Sequence, residues 1–188
     1  MRKLAVEQAV GETLCHDMTA ILENGFKGVR FSRGHVIREE DIEALRDMGK
    51  RHVFVWEPQA DEVHEDDAAA ALVDVLIGEG ISRSAPTEGK IGLSALYDGL
   101  FLMNKPALRG INSVGDYTVA CRNGNTPVKA GDKLGGARIV PLVTKRSTVD
   151  QAVLIARGNA PVLSVLRYRP LKTAVIITGN EGDEGRME

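Results

Sequence analysis

Apolar positions between residues 38 and 48 recur at Ile42, Leu45 and Met48, one face of a helix, and Gly49 follows as a C-terminal stop. Segments 3–8 and 13–18 read as short strands, and 52–56 alternates with the β-branched content of another. A second helix opens at Asp66 or Asp67, with Ala68, Ala71, Leu72, Val75 and Leu76 as its stripe and Gly78 and Gly80 behind it. Acids in its first turn suit the positive end of the helix dipole. Residues 82–87 then read as a linker.

From Lys90 onward the pattern changes to short apolar runs between glycine turns. Strands are expected at 91–96, 100–103, 117–122, 137–143 and 162–168, with a tight turn at 127–132. Ser147-Thr148-Val149-Asp150 starts a helix that reaches about Arg157. Residues 173–177 resemble a buried parallel strand. The fold class is therefore mixed α/β (α+β). An amino-terminal α/β region (1–84) precedes a β-rich region with one helix (85–170), and 171–188 begin a further α/β domain. A βαβ unit needs about 30 residues, so the chain is expected to be a fragment of a longer protein.

Charge changes this picture more than composition does. The net charge is −2, yet residues 38–82 carry four bases against thirteen acids, and residues 83–177 carry fourteen bases against five acids. The basic half suggests an anionic small ligand or an acidic surface, which a second copy of the chain would supply as a homo-oligomer. With 4% aromatics and no overall basic excess, nucleic acid is not an expected partner. Apolar runs fall far short of the roughly 20 residues of a membrane span, and no membrane partner is expected. Two cysteines are too few for a disulfide scaffold, so the expected location is the cytoplasm.

Candidate chemistry is sparse. Cys15, His16 and Asp17 lie on a predicted strand, where Cys15 and Asp17 share one face and His16 takes the other, a poor chelating geometry. His64-Glu65-Asp66-Asp67 lacks the second histidine of a metalloprotease helix, and capping accounts for its acids. Cys121 reads as a small core residue. The stretch from Gly131 to Gly136 lacks the Gly-Lys-Ser/Thr ending of a nucleotide loop and reads as a glycine-rich turn, with Arg138 just beyond it placed to meet an anion. Glu88-Gly89 and Asp98-Gly99 each set a carboxylate before a flexible glycine at a strand edge, which suits a hairpin turn or a site equally. The strand ending in Thr178-Gly179 would offer a hydroxyl and backbone N–H groups where open α/β sheets bind ligands.

Three segments, in order, carry a family resemblance. They are Ala85-Pro86-Thr87-Glu88-Gly89-Lys90 with Asp98-Gly99-Leu100; Asn125-Thr126-Pro127-Val128-Lys129-Ala130-Gly131-Asp132 with Arg138-Ile139-Val140-Pro141-Leu142; and Thr178-Gly179-Asn180-Glu181 with Gly185-Arg186. Together with residues 11–19 they resemble the molybdopterin-binding proteins related to the molybdopterin molybdenumtransferases of molybdenum cofactor biosynthesis. The family's Ser-Ala-Met-Asp-Gly-Tyr stretch is here Ser94-Ala95-Leu96-Tyr97-Asp98-Gly99-Leu100, with a residue inserted and the final tyrosine lost.

The resemblance implies a molybdopterin-binding protein with a pterin-binding α/β domain opening at Thr178, Gly179, Asn180 and Glu181. It implies molybdopterin as cofactor, with magnesium or molybdate in a full-length parent. Arg138 would hold the anion, and Asp98 and Glu88 would be the catalytic carboxylates that position a metal and polarise a phosphoryl linkage. The chain alone is expected to be inactive, whether or not its parent is a molybdenumtransferase. Two other functions fit the same residues: a non-enzymatic dimerisation or scaffold module, and an anion-sensing regulator with a borrowed pterin-binding fold.

Overall fold

Apolar side chains gather in two separate clusters in the computed structural model, which describes residues 2–21, 27–55 and 59–176. The first runs from Val6 to Val55 and the second from Val63 to Val165. The division thus falls before the second predicted helix, whose stripe belongs to the second cluster, and not at residue 84.

The first lobe contains β1 (Arg2–Ala5), β2 (Met18–Ile21), β3 (Lys27–Phe31), α1 (Asp41–Asp47) and β4 (His52–Val55). β1 pairs antiparallel with β4, and β2 with β3. The strand expected over 3–8 stops at Ala5, because a 3-10 turn closed by Ala9 N–H on the Val6 carbonyl sinks both side chains into the core. The strand expected over 13–18 is also corrected. Thr13 and Leu14 make only isolated bridges, and regular pairing begins at Met18.

The second lobe follows as β5 (Glu62–His64), α2 (Glu65–Leu76), β6 (Ile81–Arg83), β7 (Lys90–Ala95), β8 (Gly99–Met103), α3 (Lys105–Asn112), β9 (Tyr117–Cys121), β10 (Thr126–Val128), β11 (Lys133–Ile139), β12 (Val143–Lys145), α4 (Arg146–Gly158) and β13 (Leu163–Arg167). β6, β7, β11 and β9 form an antiparallel sheet in that order; β10, β8 and β13 form a second, and β12 pairs with β5. Helix α2 packs on β7 and β11, α3 on β9, and α4 on both helices. Leu72, Leu76, Ala152 and Ala156 are fully buried between these layers.

The observed architecture is mixed α+β and β-rich. Three expectations change. The region 85–170 holds two helices, since α3 precedes β9. Gly135 and Gly136 lie inside β11, so only the first part of the Gly131–Gly136 stretch is a turn. Residues 173–176 form no strand, and Val175 and Ile176 are 80% and 86% exposed. Among the described residues, nothing pairs with 173–176 to hold them extended. Among the described residues no helix is long and apolar enough to cross a membrane.

Candidate anion-binding site

The outer face of the β6-β7-β11-β9 sheet is built from alternate positions of its strands. On β7 and β11 these include Lys90, Gly92, Gly136 and Arg138, and on β9 Thr118 and Ala120. Arg138 stands directly opposite Lys90 on one side and Thr118 on the other, while Gly136 stands between Gly92 and Ala120. The result is an open groove of about 630 Å³ with a low floor of glycine and alanine. Lys90 and Arg138 rim one end, and Lys133 and Arg122 line the other.

Like charges set directly across a strand pair are unfavourable unless something compensates them. Among the described residues neither Lys90, Arg138 nor Lys133 forms an ion pair, whereas Arg122 donates to Asp132 at 3.0 Å. Three cations without an ion pair, over a floor of glycine and alanine, make a surface suited to a flat anion. Glycine is required in the floor as well. A Cβ on Gly136 would lie 2.8 Å from the Ile91 carbonyl oxygen.

At the Lys90 end, Thr87 and Lys90 exchange backbone hydrogen bonds around Glu88 and Gly89, which have φ of 51° and 68°. This is a two-residue hairpin turn of the primed kind. Gly89 N–H donates to Asp66 Oδ1 at 2.9 Å, and its carbonyl accepts from Ile139 N–H at 3.0 Å. Beneath it lies Glu65, 3% exposed, with Oε2 only 2.6 Å from where a Gly89 Cβ would stand. Burial first, then Asp66 and Glu88, push the Glu65 carboxyl up to about 7, against the lowering influence of Arg138 and Arg33.

The cap of α2 differs from expectation. His64, not an acid, is the N-cap, and its Nδ1 accepts from Asp66 N–H while Nε2 donates to the Cys15 carbonyl. The buried ring is thus neutral with the proton on Nε2, and burial holds it below the ordinary histidine range. Because the chain bends at Cys15 and His16, Cys15 Sγ comes within 3.1 Å of His16 Nδ1, which alternation along a strand would forbid. Burial pushes the Cys15 thiol up to about 11, so it is no thiolate nucleophile at neutral pH.

The two proposed catalytic carboxylates do not meet. Glu88 precedes β7 and Asp98 follows it, and the six residues of that strand alone span about 17 Å. Asp98 accepts a hydrogen bond from Ala130 N–H at 2.9 Å, tying two turns together. Arg138 and Glu88 instead share the Lys90 end with Glu65, a residue the sequence reading assigned only to capping. Thr178, Gly179, Asn180 and Glu181 lie outside the described residues. Among the described residues no group of three or more His, Cys, Asp or Glu side chains could hold a metal ion. No step through a metal ion is derived from these residues.

A family model described as a domain of unknown function (DUF8806) matches residues 3–57, which corresponds to the first lobe. No curated protein and no solved structure matches the chain.

Proposed function

We propose that this chain belongs to a cytoplasmic molybdopterin-binding protein of molybdenum cofactor biosynthesis, and that its basic groove receives the anionic pterin. The observation that carries the reading is the cross-strand pair Lys90 and Arg138, two cations without an ion pair beside a glycine-floored sheet face. A planar ring fits a floor without side chains, and a phosphate or dithiolene group would meet the rim. The order of the three family-like segments supports the choice of pterin over other flat anions. In this reading Asp98 holds a turn and Glu88 shapes the groove's end.

Calorimetric titration of the chain with molybdopterin tests it. Replacing Lys90 or Arg138 by Ala should weaken binding about tenfold or more, the value of one charged hydrogen bond. Arg109→Ala on α3 should leave it unchanged. Failure of the unaltered chain to bind would sink the reading.

A second reading rests on charge. Glu39, Glu40, Glu43 and Asp47, on and before α1, are exposed acids that a second copy could set against the same groove. Light scattering across a salt series decides it: a monomer at low salt and micromolar concentration excludes that homo-oligomer.

A further inference from the structure

Glu65 is a buried carboxyl at the first residue of α2, and no side-chain hydrogen bond or ion pair to it occurs among the described residues. Its position relative to the groove is set by Gly89. That residue covers the carboxyl, precedes Lys90 in the chain, and accepts a hydrogen bond from the residue that follows Arg138. Glu65 therefore lies beneath the turn at the Lys90 and Arg138 end of the groove.

Resting on the anion-binding reading above, we propose that binding of an anion at Lys90 and Arg138 is coupled to proton uptake from solution, and that Glu65 is the group that takes the proton up. Without an anion, the Arg138 and Arg33 charges favour the Glu65 carboxylate, while burial, Asp66 and Glu88 oppose it. An anion on Arg138 cancels the first influence and leaves the others, so the carboxyl takes a proton. By linkage an ionised Glu65 weakens the anion to the same degree. With its proton bound and released near neutral pH, Glu65 makes this coupling visible in the range where proteins are ordinarily handled.

The other groups around it are accounted for. From the first lobe come Arg33, which donates to Asp67 at 3.0 Å and through its backbone to Asp17, and the neutral Cys15 thiol. His64 precedes Glu65 as the neutral cap, and half-buried His16 feels Glu88. The two histidines are the groups whose protonation would mimic the effect, so the experiment must separate them from Glu65.

Sulfate is a suitable probe because it remains a dianion from pH 6 to pH 8. Its dissociation constant for the whole chain should rise about two- to fivefold between those limits, as half a unit to one unit of pKa displacement from a midpoint of about 7 requires. Glu65→Gln should bind sulfate with little change across the same range. In the unaltered chain, the carboxyl 13C resonance of Glu65 should titrate at higher pH with sulfate than without it, a readout that needs no variant. Sulfate binding with no movement of that midpoint, or a pH dependence that survives in Glu65→Gln, overturns the proposal and points to His16 or His64. Absence of sulfate binding at both pH values overturns the groove reading and this proposal with it.

Discussion

Glu88 occupies a left-handed backbone conformation that an unbranched acidic side chain tolerates poorly, whereas asparagine or glycine adopts it readily. The neighbouring Gly89 has no alternative, since any Cβ there meets the Glu65 carboxyl as well as a positive φ. Opposite outcomes follow for adjacent substitutions. Glu88→Asn should stabilise the chain by about 0.5–1 kcal/mol, by removing part of the left-handed penalty. Gly89→Ala should destabilise it by about 2–3 kcal/mol, from the penalty plus displacement of Glu65. Urea unfolding of the two variants checks both signs, and equal small effects would mean the turn relaxes freely. The Glu-Gly pair was legible in the sequence as a hairpin turn or a site, and it is a turn that shapes the candidate site. Asp98-Gly99 carries the same local signature, and what separates the two is long range: α2 packs against one turn, and the Ala130 turn meets the other. No local pattern encodes that difference.

Among elements, α2 shows most clearly what periodicity can and cannot tell. Its stripe predicts a helix over nearly the observed residues, but not the surface it buries against. That surface is β7 and β11, brought together by pairings far apart in sequence. Tyr117, opening β9, is 1% exposed and donates its hydroxyl to the Ala68 carbonyl at 2.9 Å, which pins the helix to the sheet. Tyr117→Phe keeps the ring and removes only this bond. Ala68 lies inside the helix, where its carbonyl retains an intrahelical partner, so the loss should be about 0.5–1.5 kcal/mol in equilibrium unfolding. A loss above about 3 kcal/mol would mean the hydroxyl does more than anchor α2. Two of the misreadings have different causes. Helix α3 has an Asn104 cap, Pro106 in its first turn, and Ala107 and Ile111 one turn apart, a legible signal too short to stand out among strands. The apolar run before Ile177 has strand composition without strand structure in 173–176, because a strand exists only through its partners.

At the scale of the molecule, nine buried apolar residues form the first cluster and twenty-five the second among the described residues, and no residue belongs to both. Among the described residues two polar contacts join the lobes: His64 Nε2–H on the Cys15 carbonyl, and an Arg33–Asp67 pair that is partly exposed and worth little. The smaller cluster should open first, with His64 as the principal latch. His64→Asn isolates that role, since asparagine keeps a cap for α2 but is too short to reach Cys15. Hydrogen exchange at Val53 and Val55 should then quicken about tenfold, the value of one buried hydrogen bond, while Ile91 and Leu93 stay protected. Acid should act in the same direction. Burial lowers the His64 pKa in the folded chain, so its contribution is present above about pH 6.5 and is lost as the pH falls through the depressed value. Protection at β4 should therefore decline on acidification before protection at β7 does. A uniform loss across both lobes would show instead that they unfold as one cooperative unit, with the separation of their cores carrying no consequence for stability.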